Sequence, residues 1–204
     1  MAAQRRLRIV EGSVPEGIED LADDQLMLLL NRVSQKERAF EALIHRHQRL
    51  VLAYATRFLG DRSLAREVTQ EVFLTVWTER ESYRPSGRFR AYLMTIAFNR
   101  CQIVARQRGT ARRKQPELES RGEPRDPADA PIERLLESER AAQVRAVLLD
   151  IDERKRAALI LRFCDELSYE EIAAVTGQPR GTVKAQVSRG LKRLREMLCE
   201  GHRS

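Results

Sequence analysis

Residues 167–198, LSYEEIAAVTGQPRGTVKAQVSRGLKRLREML, restrict the possible folds more than any other stretch of the chain. Ser168 is placed to cap a helix, and Glu171, three residues on, to reach back to the cap amide in a capping box. Ile172, Ala173 and Val175 give this helix an apolar face. Thr176-Gly177-Gln178-Pro179 then breaks the pattern, because glycine accepts a left-handed helix end and Pro179 cannot continue a hydrogen-bonded turn. In the helix that follows, Val183, Val187, Leu191, Leu194 and Leu198 hold one apolar stripe at helical spacing. Opposite lie Thr182, Ala185, Gln186, Arg189, Lys192 and Arg193, flanked by Arg180 and Lys184. Two helices joined by a short glycine corner predict a helix-turn-helix, whose second helix sets its basic face in the major groove of DNA. A basic face alone would predict only solubility; the cap and the tight corner favour DNA.

The charge balance agrees without choosing the polyanion. An excess of seven positive charges over 204 residues, with a pI near 9.8, suits nucleic acid, an anionic surface or simple solubility alike. No apolar run reaches the ~18 residues of a membrane span, and MAAQRRLRIVEG lacks the apolar core of a signal peptide, so a cytoplasmic location is expected. Cys101, Cys164 and Cys199 are isolated, which excludes a disulfide framework and predicts buried, reduced thiols. His45 and His47, or Cys199 and His202, lack the companions of a closed metal site. No metal, cofactor or catalytic group is expected, and a nuclease built on His45 and His47 is disfavoured because side chains two apart on a helix diverge.

Upstream, residues 1–20 have no periodicity and are expected to form a mobile arm. Leu26, Leu29, Leu30 and Val33 predict a short helix, and Phe40, Leu43, Ile44, His47, Val51, Tyr54, Ala55 and Phe58 a long one ending at Gly60-Asp61. His47 is expected as a hydrogen-bonded core residue and His45 as exposed. A helix from Ser63 to about Arg80 should bury Ala65, Val68, Thr69, Val72 and Val76, leaving Glu67, Gln70, Glu71 and Leu74 outside. Leu74 among acids is the pattern of a docking surface for a basic partner, an apolar anchor with a charged rim. After the loop around Tyr83, Pro85 and Gly87, a helix from Phe89 to about Gln107 should bury Phe89, Leu93, Ile96, Ala97, Ile103 and Val104. Its other stripe, Tyr92, Thr95, Asn99, Gln102 and Arg106, fits single-stranded nucleic acid through stacking, amide and phosphate contacts, and fits an ordinary polar face equally well.

From Arg106 to Lys114 there are five basic residues, followed by an acidic segment broken by Pro116, Pro124, Pro127 and Pro131. Residues 109–131 are therefore expected to be a flexible linker. Extended, it reaches at most ~75 Å, against roughly 70 Å for two DNA turns. Ile132, Leu135, Leu136, Val144, Val147, Leu148, Ile151, Leu159, Ile160, Leu161 and Phe163 predict two helices under the helix-turn-helix. No β pattern occurs, so the fold class is all-α: two helical domains, 21–108 and 132–200, on a flexible tether, with a tail at 201–204.

Three motifs in order now define a likeness: Glu67-Val68-Thr69-Gln70-Glu71-Val72-Phe73 with Trp77, Tyr92-Leu93 with Ile96-Ala97 and Asn99, and Ser168-Tyr169-Glu170-Glu171-Ile172-Ala173 with Gly181-Thr182-Val183-Lys184. The chain resembles bacterial RNA polymerase sigma factors of the extracytoplasmic-function type, over about Leu21 to Leu198. The resemblance implies a region 2 bundle and a region 4 helix-turn-helix. It implies that Glu67, Gln70, Glu71 and Leu74 dock on the beta-prime coiled coil of core polymerase, with the beta flap as a further contact. It implies that Tyr83, Tyr92, Thr95, Asn99, Gln102 and Arg106 engage the minus-ten element and capture a flipped base, and that Arg180, Thr182, Lys184, Ala185, Gln186, Ser188, Arg189 and Arg193 engage the minus-thirty-five element. Promoter DNA and an anti-sigma factor are the other implied partners. Tyr92 stands where Trp is usual, Ile103 where Asp is, Ala185 where Ser is and Gln186 where Arg is, so no promoter sequence is carried over. The alternative from the residues is an autonomous helix-turn-helix regulator whose N-terminal half dimerises or binds a ligand.

Overall fold

The computed structural model describes residues 17–32, 34–114 and 142–200, and these contain helices and turns with no strand. A 3-10 turn at Ile18–Asp20 precedes α1 (Asp23–Leu29), α2 (Lys36–Leu59), α3 (Arg62–Thr78) and α4 (Phe89–Lys114). The second group contains α5 (residues 142–150), α6 (Glu153–Phe163), α7 (Tyr169–Thr176) and α8 (Arg180–Glu200). The all-α class is as expected. Residues 1–16 of the expected arm, Val33, most of the expected linker, Ile132, Leu135, Leu136 and the tail lie outside the described residues, but residues 17–20 do not behave as an arm: Ile18–Asp20 form a 3-10 turn whose Ile18 is buried against the core.

α2 is the axis of the first group. Leu43, Val51, Tyr54, Ala55 and Phe58 on it are fully buried, and each buried Leu, Val or Phe contributes roughly 1.5–3 kcal/mol. The helix stops at Gly60, whose φ of 71° is left-handed and whose N–H donates to the Thr56 carbonyl at 2.9 Å. Asp61 then caps α3 through the N–H groups of Ser63 (2.9 Å) and Leu64 (3.1 Å), while its other oxygen takes Arg108 of α4 at 3.0 Å. One carboxylate thus starts α3 and ties α4 to the same corner. His47 is part of the core lining, as expected: its Nε2 lies 2.8 Å from Asp23 and its ring 5.3 Å from that of Phe89.

Three expectations fail on packing geometry. Ile103 is 46% exposed, because the buried face of α4 centres on Leu93, Ala97 and Cys101, with Met94 and Phe98 beside them, which rotates Ile103 onto the flank. Cys101 is buried, and burial pushes its thiol up to about 12, but Cys164 and Cys199 are exposed because they sit just past the end of α6 and near the end of α8, where neighbours thin out. α4 also runs on past its expected end near Gln107 to Lys114.

The two helical groups touch directly. Arg156 of α6 donates to the carbonyls of Phe58 (2.7 Å), Leu149 (2.6 Å) and Ile151 (3.0 Å), and its guanidinium lies 5.5 Å from the Phe58 ring centre. Arg90 of α4 donates to the Asp165 carbonyl. Leu149 fills the space beside Gly60, where an added Cβ would meet its Cδ1 at 2.4 Å. Between the groups, Asp165 is 1% exposed and its Oδ2 has no hydrogen bond among the described residues. Burial raises this carboxyl to about 6, against the pull of Arg57 and Arg90.

The raised value fixes the sign of a pH effect. Between the ordinary carboxyl value of about 4 and about 6, the unfolded chain ionises at Asp165 while the folded chain stays protonated, so stability falls as pH rises through this window. Asp165→Asn should therefore stabilise the fold at pH 8 by on the order of 2–3 kcal/mol, with no gain at pH 3.5, as read by chemical denaturation at the two pH values.

Candidate functional site

Three surfaces carry the residues singled out in the sequence. The first is on α3, where Glu67, Gln70 and Glu71 are exposed and Leu74 is 60% exposed. Leu74 and Gln70 border an apolar groove of about 600 Å³ between α2 and α3, whose walls are Phe40 and Ile44 from α2 and Phe73 and Trp77 from α3. Phe40 and Trp77 pack with ring centres 4.9 Å apart, which makes the groove floor aromatic. Glu37 and Glu41 add to its acidic rim, and Glu71 lies 3.7 Å from Arg100 of α4. Phe40 and Ile44 are absent from the sequence-predicted surface because their spacing assigns them to the α2 core stripe, at whose edge they lie half-buried.

The second surface joins the loop after α3 to one face of α4. Tyr83 is 9% exposed, its ring centre 4.9 Å from that of Tyr92 and 6.0 Å from that of Phe89. Burial, followed by the hydrogen bond to Asp24, raises the Tyr83 phenol above its ordinary range. Tyr92 is half-buried, and burial raises its phenol too. Beyond this aromatic cluster Asn99 is exposed, and Arg106 donates to Gln102 at 3.1 Å. Thr95 spends its hydroxyl proton on the Ala91 carbonyl at 2.8 Å. The structure therefore brings Tyr92, Thr95, Asn99, Gln102 and Arg106 onto one face of α4, with the Tyr83 ring beneath its near end.

The third surface is the helix-turn-helix, and its local signals act as read. The Ser168 hydroxyl accepts the Glu171 N–H at 3.2 Å while the Glu171 carboxylate accepts the Ser168 N–H at 2.8 Å. The Ser168 N–H first, and then the Ser168 hydroxyl, hold the Glu171 carboxyl below its usual range. Gly177 closes α7 with φ 65°. Val183 and Val187 then bury one side of α8, and Gly190 lets Leu159 of α6 approach to where a Cβ would stand 3.0 Å from it. Thr182, Lys184, Ser188, Arg189 and Arg193 are exposed, and Ala185 is half-buried. Arg180 is paired with Glu170 at 2.8 Å and Arg193 lies 3.7 Å from Glu196. Gln186 departs from the expected outward face: it is half-buried and donates to the Gln178 amide at 2.7 Å, holding the corner together. A cleft of about 370 Å³ beside Thr182, Ala185 and Arg189 is also lined by Arg154 and Lys155 of α6. These two cations carry no motif, and only the folded chain sets them next to α8.

A capped helix, a left-handed glycine corner and an exposed basic helix, carried on the same chain as a helical bundle with an acidic-rimmed apolar groove, define a two-part helical DNA-binding protein. The sigma-70 region 2 model matches residues 43–110 and the sigma-70 region 4 model residues 141–194. The chain is 32% identical over 163 residues to the ECF RNA polymerase sigma factor SigE of Mycolicibacterium smegmatis, covering 79% of this chain and 62% of that one. It is 30% identical over 179 residues to the RNA polymerase sigma-H factor of Pseudomonas aeruginosa, covering 83% of this chain and 91% of the relative. The solved structure of CnrH in complex with the cytosolic domain of CnrY is similar at a TM-score of 0.64 and 25% identity, over 88% of this chain and 99% of that one. The chain belongs to the extracytoplasmic-function branch of the sigma-70 family of RNA polymerase sigma factors, a family of transcription initiation factors.

The capping box gives the helix-turn-helix its entry geometry. Ser168→Ala should destabilise the chain by about 1 kcal/mol at pH 7. The variant keeps the Ser168 N–H and loses only the hydroxyl's part of the Glu171 depression; that part is complete above the unfolded value near 4.3 and vanishes as pH falls through the folded value. Denaturation of both proteins at pH 7 and pH 3 should show the gap narrowing in acid.

Proposed function

We propose that this chain docks on core RNA polymerase through α3, directs it to promoters through a minus-thirty-five and a minus-ten element, and promotes opening of the duplex. The observation that carries this reading is Leu74, 60% exposed beside an aromatic-floored groove and surrounded by Glu67, Gln70 and Glu71. An exposed apolar anchor with an acidic rim suits a basic partner helix, and the beta-prime coiled coil of polymerase is the partner that membership of the family suggests. The beta flap would engage the second helical group. On this reading residues 21–108 form the polymerase-docking and minus-ten domain, 109–131 the linker and 132–200 the minus-thirty-five domain.

In the second domain Lys184 and Arg189 point outward from the first half of α8, where base edges lie in a major-groove complex, and Thr182 sits at the helix start, where free amides favour phosphate. Ala185 presents a methyl group suited to thymine. In the first domain the aromatic cluster and Asn99 replace part of the stacking and pairing that an extruded base loses. No nucleotide hydrolysis is needed: binding of the extruded strand selects the open state once polymerase holds the duplex. The basic end of α4 adds sequence-independent attraction to phosphate. A regulatory partner of the anti-sigma type, clasping both helical groups, agrees with the similarity to CnrH, which is seen with the cytosolic domain of CnrY. On this reading the protein acts in the cytoplasm, where chromosomal promoters are.

The test is RNA synthesis from a mapped promoter by sigma-free core polymerase, which the purified chain should stimulate; no stimulation contradicts the proposal. Leu74→Asp should weaken core binding by at least about 30-fold, the cost of a lost interface anchor, without changing helical content, as measured by competition for labelled core. Arg189→Ala should cost ~1–3 kcal/mol at the upstream element alone. Equal loss on all sequences would show that Arg189 meets only phosphate.

A further inference from the structure

The internal bonds of the loop between α3 and α4 lie at its start, where Arg84 donates to the carbonyls of Glu81, Ser82 and Tyr83 at 3.2–3.3 Å. Residues 83–88 have no helix or strand backbone, Pro85 lacks an N–H, and Gly87 sits at φ 71° with open space around it. Such a segment is costly to order on a nucleic-acid strand unless something fixes it beforehand. One side chain closes it at both ends: Asp24 of α1 accepts the Tyr83 hydroxyl on Oδ1 and the Gly87 N–H on Oδ2, each at 2.5 Å. A single carboxylate thus pins the two ends of a five-residue span and leaves Arg84, Pro85 and Ser86 exposed as its tip.

α1 is anchored firmly enough to serve as the base of this clamp. Leu26, Met27 and Leu30 are at most 1% exposed. The neighbouring Asp23 holds Arg46 at 2.9 Å and His47 at 2.8 Å on α2, and Arg46 also donates to the Leu21 carbonyl at 2.7 Å. Without a side-chain oxygen at Ala22, the start of α1 is closed by Gln25, which accepts the Ala22 N–H at 2.9 Å. Asp24 is therefore left to face the loop. Its partner Tyr83 is also the ring on which Tyr92 rests, so the clamp fixes the loop tip and the aromatic end of the α4 face as one unit.

We infer that Asp24 is a positioning residue for strand capture: it preorganises the Tyr83–Gly87 loop and the Tyr92 ring for the extruded minus-ten strand without touching DNA itself. This rests on the proposed function, and the test separates the two. Hydrogen exchange of residues 83–88 is measured on the free full-length chain. Affinity for a single-stranded minus-ten oligonucleotide is measured on holoenzyme, using a promoter that wild-type holoenzyme retains from a randomised pool. Asp24→Ala should speed exchange in the loop and weaken strand binding about tenfold, the expected loss for two hydrogen bonds that order a binding segment. Core affinity and the unfolding midpoint should stay near wild type. Asp24→Asn should restore most strand binding, because its amide accepts from Gly87 and donates to the Tyr83 oxygen. Unchanged loop exchange in Asp24→Ala overturns the clamp. Unchanged strand affinity, or a loss matched by an equal loss of core binding, overturns its role in capture. If wild-type holoenzyme binds no strand, the functional reading fails and the capture role with it, and the exchange measurement alone then judges the clamp.

Discussion

Everything in the first helical group leans on α2, and the second group reaches it as well. α1, α3 and α4 pack along it, and α6 meets its C-terminal end. A helix surrounded in this way must be apolar on more than one side. Its buried residues duly span a broad face, with Leu43, Val51, Tyr54 and Phe58 along the middle, Ala39 on one flank and Ala55 and Leu59 on the other. The helix can carry so many neighbours because it ends cleanly. Gly60 turns the chain in the left-handed region, Asp61 starts α3 at once, and the same carboxylate draws in α4 through Arg108. The α2–α3 groove, the loop at 83–88 and α4 thus inherit their relative positions from one helix and one corner.

The features legible in the sequence were those decided within a few residues. The capping box of Ser168 and Glu171, the left-handed Gly177, the exposure of Leu74 and the core position of His47 follow from local chemistry and helical period, and the structure contains each. What escaped depends on which neighbour covers a face. Ile103 has the right spacing for the core, but α4 turns a slightly different face inward. Gln186 is polar and was placed outside, yet its amide finds Gln178 across the corner. The Tyr83 contact with Asp24 spans 59 residues and the Arg156 contact with Phe58 spans 98. No periodicity encodes such pairings. Arg154 and Lys155 show the same limit: their nearness to the recognition helix exists only once α6 has packed on α8.

The exposed surfaces divide by charge in a way that suits their proposed partners. The groove between α2 and α3 is apolar with an acidic rim, whereas the end of α4 and the outward face of α8 are basic. Acids beside the groove disfavour nucleic acid there, and cations on α8 disfavour a basic protein helix, so under the proposed function each partner would be turned away from the other's site by repulsion as well as drawn to its own. The net positive charge of the chain is therefore a sum over two opposed patches, and it describes neither.

Both arginines that bridge the helical groups address main-chain carbonyls: Arg156 those of Phe58, Leu149 and Ile151, and Arg90 that of Asp165. A carbonyl is present whatever side chain the residue bears. Substitutions at Phe58 or Asp165, the acceptors on the facing group, thus leave these bonds in place. Exchange of halves between relatives, by recombination or by design, then leaves these polar bonds intact, and the match it must keep is apolar: α4 against α7, α2 against α6, and Leu149 in the Gly60 corner.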